Sequence, residues 1–508
     1  MHSLAWTFAG ANVPHRCRLP EDLSDTSYAL NDSLLTKYYN ESLKEYPKCS
    51  YEGHSECPNG FVYNNSEMTF SAIQKWDIVC DRSVLKANIQ SMYYVGQMLG
   101  SLVFGFLGDR IGRKKVFMIA ILLQIISGLG MVVAPFWFLY ALFRTGVGFT
   151  HPGIFVIANV IGVELVGPSK RKLASIVTGA FFALGQAILG VAAYFIRDYR
   201  ILHLVIALPT FLFLSYWWLV PESARWLVFQ RKYSKADVVL RRAAKVNKAS
   251  IPENWWEQIE TNTDSSSEEK IDKSVKKYNF LDLFKTPKIR KYSFSAFFCW
   301  PVVSMVYYGV SMNTSFLGGD PYFTFIIGAL VEIPAILFVF VAIDRIGRKL
   351  LLAGGYTIAA ICMLSNLLIS EDAHYLIAMV QFVLTKAAIG CTYATLYAFT
   401  PELFPTVIRN IAMGCCSMMA RIGAISASFI AMWLVNEIGK EAMILPFSSL
   451  SLCAALITMI FLPETAGKQL HDTIEDVENM TEEHVIESQE TKPLKLNDSP
   501  PASPIPKA

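Results

Sequence analysis

Charge is what this 508-residue chain has least of. Asp, Glu, Lys and Arg together make up 17% of it and the formal net charge is only +3, so no broad basic field exists and no nucleic-acid partner is expected. Also absent are a glycine-rich phosphate loop, metal ligands at paired spacing and a nucleophile motif, so an enzyme, a metal site and a bound cofactor are not expected. No basic start followed by a short apolar core marks a cleavable signal at the N-terminus. What the chain has in abundance is apolar side chains: 53% hydrophobic residues and a mean hydropathy of +0.36 describe a membrane protein.

The apolar residues are gathered into nearly uncharged runs of about twenty, long enough to cross a bilayer core as helices. They fall near 84–107, 115–134, 136–163, 173–195, 201–220, 292–312, 322–343, 349–369, 375–400, 410–435 and 442–462. The expected fold is therefore an all-α membrane bundle.

Within it the sequence repeats itself. Asp-Arg-Ile-Gly-Arg-Lys occurs at 109–114 and again at 344–349; Glu164-Leu165, with Arg171, answers Glu402-Leu403, with Arg409; and Pro221-Glu222-Ser223 answers Pro463-Glu464-Thr465. Three anchors in one order imply a duplication, two similar halves about a central site, which is how a carrier that rocks one half against the other is built. The expected divisions are 1–83 outside, a five-helix bundle over 84–220, a linker over 221–291, a six-helix bundle over 292–462 and a largely disordered tail over 463–508.

Lys and Arg gather at alternate loops, around Arg110 to Lys115, Lys170 to Lys172, 221–291 and Arg345 to Lys349, and these are predicted to stay in the cytoplasm. That leaves the first 83 residues outside, where Cys17, Cys49, Cys57 and Cys80 should pair, in one of three connectivities. Glycosylation triplets at Asn31, Asn40 and Asn64 fit the same side. Gly96 and Gly100, followed by Gly105 and Gly108, give one helix a thin face for close packing.

Taken together, Gly105 to Lys115, Arg144 before Gly148, Pro221 to Trp226 and Pro463 to Gly467 resemble the major facilitator superfamily. The cysteine-bearing segment from His15 to Cys80 and the stretch Glu402 to Asn410 are similar, more narrowly, to its organic cation, organic anion and carnitine transporters. The resemblance implies a multi-pass carrier of small organic ions in the plasma membrane. It implies twelve membrane helices, one of them before the large outer loop. Eleven are read here, and a chain without the first is expected to be a short isoform or to begin at a misplaced start, with a transport-dead regulator or assembly partner as the corresponding alternative. The resemblance further implies a cytoplasmic latch of Asp109, Arg110, Arg113, Arg144, Glu164, Glu222, Arg225, Asp344, Arg345, Arg348, Glu402 and Arg409, set against a plainer reading as solvated topology signals.

Polar groups at membrane depth are costly and mark pathways. Arg421 stands well inside its span, and the resemblance associates a basic residue there with anion and carnitine carriers, so the expected substrate carries a carboxylate or is a zwitterion such as carnitine. Trp300, Tyr308 and Tyr93 are candidates for a face that accepts a quaternary ammonium. Glu332 and Lys386 are a buried acid and base, each other's partner or substrate ligands. His151 is a candidate proton relay, read more plainly as structural. A simple organic cation held by Glu332 is the alternative substrate. A coupling ion, sodium or proton, is left open.

Overall fold

The computed structural model describes residues 1–19, 28–29, 48–50, 56–66, 68–166, 171–252, 254–257, 278–313, 320–369, 375–468 and 471–478. The triplets at Asn31 and Asn40, most of the linker around 261–277 and the tail beyond 479 lie outside the described residues.

Short helices α1 (Ala5–Ala9) and α2 (Ala72–Trp76) precede α3 (Val84–Ile111), α4 (Arg113–Val133), α5 (Trp137–Leu165), α6 (Arg171–Phe195) and α7 (Tyr199–Leu219). Two further short helices, α8 (Ala224–Phe229) and α9 (Tyr233–Asn247), lead into the second half. There follow α10 (Pro287–Met312), α11 (Pro321–Ile346), α12 (Arg348–Ser365), α13 (Tyr375–Leu403), α14 (Thr406–Ile438) and α15 (Glu441–Phe461). Ten of the described helices are long and apolar enough to cross a membrane. The 28-residue α3 joins them in the bundle although Lys86, Gln90, Gln97, Asp109 and Arg110 lower its hydropathy. Prolines interrupt α5, α10, α11, α13 and α15, and α14 carries a π segment at Ile430–Leu434, so several spans are bent.

The bundle shows apolar side chains on its outside and buries a set of polar ones within. Phe195, Trp218 and Leu212 are 76%, 75% and 73% exposed, which suits hydrocarbon, whereas Gln90, Gln97, Gln124, Gln186, Glu332 and Lys386 are buried. Helices α3 and α5 approach backbone to backbone: a Cβ on Gly96 or Gly100 would strike the carbonyls of Thr145 and Phe149, and one on Gly148 that of Tyr93. The thin face is real at those two glycines of α3, while Gly105 meets nothing. The two halves join where α3 packs on α14 and α6 on α11.

Each copy of the hexapeptide is a tight helix-to-helix joint. Gly112 between α3 and α4 has φ 109° and Gly347 between α11 and α12 has φ 93°, a backbone conformation that only glycine adopts without strain. We call this end of the bundle the motif end.

The opposite end carries the disulfides. Strand β1 (His15–Cys17) pairs antiparallel with β2 (Phe61–Tyr63), and Cys17–Cys57 and Cys49–Cys80 are bonded, one of the three open connectivities. The capping box of Ser71 and Gln74 starts α2. Its Trp76 donates Nε1–H to Pro135 O at 3.1 Å and Lys75 reaches Ala134 O at 2.6 Å, fastening this layer to the α4–α5 turn. One expectation is corrected here. Residues 4–9 are no part of a polar loop: Ala5–Ala9 form α1, and Leu4, Ala5, Trp6, Phe8 and Ala9 are buried, with Trp6 against Tyr140 and Phe8 against Tyr322 and Phe325.

Candidate functional site

A cavity of about 920 Å³ lies between the halves. Gln97, His151, Phe155 and Phe182 line it from the first half, and Tyr307, Tyr308, Glu332, Tyr393, Tyr397, Met418 and Arg421 from the second. Its lining runs on to Gly108, Asp109, Arg113 and Asn410, so it reaches the motif end. The disulfide end is closed by contacts between halves. Tyr194 packs on Tyr322 and Phe323, the Arg197 guanidinium lies 4.1 Å from the Tyr322 ring, and Ser83 donates to Glu437 at 3.1 Å.

The charges inside are unevenly matched. Glu332 Oε1 receives Lys386 Nζ at 2.8 Å and the Tyr307 hydroxyl at 2.7 Å, and Oε2 receives Gln186 Nε2 at 3.0 Å. Lys386 also donates to Ser311 Oγ and lies 3.7 Å from the Tyr307 ring centroid. This acid and base cancel each other. Arg421, 9% exposed, lies within electrostatic reach of the Tyr308, Tyr393, Tyr397 and Tyr93 hydroxyls; its Nε is unpartnered, and no described carboxylate pairs with it. A cation therefore remains on the cavity wall.

Around it the aromatic rings form a continuous surface. Tyr307 meets Tyr308 at 5.2 Å and Tyr393 at 5.5 Å, Tyr393 meets Tyr397 at 5.3 Å, and Tyr94 meets Tyr308 at 5.0 Å. Tyr393 and Tyr397 were missed by sequence reasoning, although their spacing of four on α13 puts both on one helix face. Trp300 does not line the cavity: fully buried, it braces Tyr397 at 4.6 Å and donates to Thr400 Oγ1 at 3.0 Å. Lys386 likewise stands behind Glu332. Tyr93 faces a neighbouring cavity of about 500 Å³ that shares His151 and Phe155 with the central one. His151 itself is bonded to Gln97 at 2.8 Å.

At the motif end the predicted charges form two clusters, one per half. In the first, Arg113 pairs with Asp109 at 2.9 Å, Glu222 accepts the Lys114 N–H at 3.1 Å at the start of α4, and Ser223 donates to Glu164. In the second, Arg348 pairs with Asp344 at 2.9 Å and with Glu402 at 3.2 Å; Glu464 accepts the N–H groups of Arg348 and Lys349 at 3.0 Å; Thr465 donates to Glu402 at 2.5 Å. Burial pulls the Glu464 carboxyl up, but backbone donors from Ala466, Arg348, Lys349 and Thr465 outweigh it and hold the group below its ordinary value. Arg409 donates Nε–H to Phe404 O at 3.3 Å. Among the described residues no ion pair joins the two clusters.

Four assignments need correction. Arg144 is not at the motif end: it lies two turns into α5 from the disulfide end, fully buried, hydrogen-bonded to Gln90 and 5.5 Å from the rings of Trp6 and Tyr93. Arg225 points outward, and the contacts of its segment come from Ser223 and from Trp226, which donates to Asp109 O at 2.8 Å. Arg110 and Arg345 are exposed, Arg110 lying over Phe106 at 5.6 Å, as expected for solvated or interfacial cations.

Two helical halves about a central cavity, with matching joints at one end, define a facilitator-type membrane carrier. The profile of the family described as "Sugar (and other) transporter" matches residues 33–476. The chain belongs to this family of the major facilitator superfamily, in its organic-ion, solute carrier family 22 branch. It is 36% identical to an organic cation transporter protein of Drosophila melanogaster, over 94% of this chain and 89% of that one. It is 32% identical to organic cation transporter 1 of Caenorhabditis elegans, over 93% and 82%. With solute carrier family 22 member 21 of Mus musculus it shares 30%, over 94% and 88%. Among solved structures it resembles the partially occluded inward-open xylose transporter XylE of E. coli, with a TM-score of 0.63 and 17% identity over 92% and 97% of the two chains. That likeness concerns the fold.

Proposed function

We propose that this protein carries small organic ions across the plasma membrane by alternating access, and that its substrates bear a carboxylate, either as zwitterions of the carnitine type or as organic anions. Names of the relatives support organic-ion transport in general; the carboxylate rests on one observation. Arg421 is the uncompensated charge of the central cavity, while Glu332 is already satisfied by Lys386, Tyr307 and Gln186. A buried guanidinium without an acid favours a ligand that supplies one, and the tyrosine surface beside it suits a quaternary ammonium on the same molecule. In this reading the disulfide end faces outside, where the half-exposed Asn64 at the turn after β2 would carry a glycan. The motif end lies in the cytoplasm, and its two clusters stiffen each half during the rocking step.

Uptake of labelled carnitine tests this. Arg421→Ala should lower it at least about tenfold, corresponding to a charge-assisted hydrogen bond of about 1.5–3 kcal/mol, with surface abundance unchanged. Undiminished uptake would remove Arg421 from the site. The relatives named for organic cations favour a second reading, a simple cation received by the tyrosines and Glu332. In that case a quaternary ammonium lacking any carboxylate would compete as strongly as carnitine does.

A further inference from the structure

One side chain that hydrogen-bonds across the halves, to two residues of the cavity lining, is neither charged nor aromatic. Gln186, on α6 of the first half, is 2% exposed. It donates Nε2–H to Tyr307 OH at 3.1 Å and to Glu332 Oε2 at 3.0 Å, both in the second half. Its two amide hydrogens are thus directed at two acceptors that also bond each other, and a carboxylate is the stronger acceptor. The bonds lie within the α6–α11 seam. On one side of them Gly190 packs on Ile326 and Phe325, and on the other Gly179 packs on Ile336. Toward the disulfide end the seam continues into Tyr194, Arg197, Tyr322 and Phe323.

We propose that Gln186 is a positioning residue that ties the halves together across this seam and holds the disulfide end shut while the cavity is open at the motif end. Opening the disulfide end parts α6 from α11 there, and the amide must then leave Glu332. The tie is paid for in the closed geometry by no other donor, because Oε1 of Glu332 already takes Lys386 and Tyr307 and only Gln186 reaches Oε2 among the contacts described. Removing the amide leaves a buried carboxylate oxygen unsatisfied in this state alone, which shifts the balance toward the alternate one. The inference rests on the carrier reading but not on the choice of substrate.

Cys415 offers a readout that needs no transport. It is half-buried and lines the same cavity, so a membrane-impermeant maleimide applied from the motif end reports how often the cavity is open there. With the other free cysteines (Cys299, Cys362, Cys391, Cys416 and Cys453) replaced by serine, Gln186→Leu should be labelled about tenfold more slowly than its parent, the expected effect of losing one hydrogen bond to a charged group. The KM for substrate added at the disulfide end should fall together with kcat, whereas a merely structural defect would lower abundance and leave KM unchanged. Unaltered labelling in a normally folded Gln186→Leu protein overturns the proposal. Should that variant fail to fold, Gln186→Asn keeps an amide that is one methylene too short to span both contacts, and the same two results decide. A parent chain that carries none of the solutes tested would defeat the functional reading while leaving the labelling result to judge the tie.

Discussion

The two motif-end clusters carry nearly the same residues and are not equally closed. In the second half Arg348 binds two acids, Asp344 and Glu402, and Glu464 caps two N–H groups of α12. In the first half, among the described residues, Arg113 binds one acid, Asp109, besides the Gly108 carbonyl and keeps its Nε buried without a partner, Glu164 is occupied by Ser223, and Glu222 caps a single N–H of α4. A duplicated sequence thus fixes the joint, through glycines of positive φ in both copies, but not the number of bonds around it. The second cluster is the better-satisfied member of the pair, and the first has spare bonding capacity.

Mutations in equivalent residues of the two halves test that contrast. The largest expected effect is from Glu464→Ala, which uncaps α12 and should cost about 2 kcal/mol, against about 1 kcal/mol for Glu222→Ala. Thermal melts of the detergent-solubilised protein would show the order, and equal losses would erase the asymmetry. The same carboxylate gives a pH signature. Because the folded state holds Glu464 below its ordinary value of 4.5, its contribution is present above that pH and is lost as pH falls through the lowered value. The gap in Tm between wild type and Glu464→Gln should therefore be steady from pH 7 down to about 5 and narrow below it; a gap that widens in acid would contradict the assigned bonds. A smaller difference is expected between Arg348→Gln and Arg113→Gln, with the second-half variant less stable by about 1 kcal/mol, since these pairs are partly exposed and screened. Melts at low and high salt would detect it, and a first-half variant that proved the weaker would reverse the ranking.

Much of this was legible in the sequence, for identifiable reasons. Apolar runs located the spans because the bilayer imposes their length: the run near 201–220 became Tyr199–Leu219, and that near 349–369 became Arg348–Leu368. Arg421, Glu332 and Lys386 stood out because charge at membrane depth is rare. Neutral side chains gave no such signal. Gln186, Tyr393 and Tyr397 acquire their roles from the rotation and tilt of α6 and α13, which packing sets and periodicity does not. Arg144 was misassigned for a different reason. Its motif grouped it with loop charges, yet its place two turns into a helix entering from the disulfide end already set it a membrane's depth from them. The burial of α1 was also readable, in the apolar run Leu4 to Ala9.

The central claim is that the uncompensated charge of the cavity selects the substrate. Charge reversal tests it most directly: uptake of labelled carnitine and of a labelled simple quaternary ammonium, measured side by side in wild type and Arg421→Glu. Wild type should prefer carnitine, and Arg421→Glu should lose carnitine uptake while gaining or keeping that of the simple cation. A preference that is the same in both proteins would contradict it.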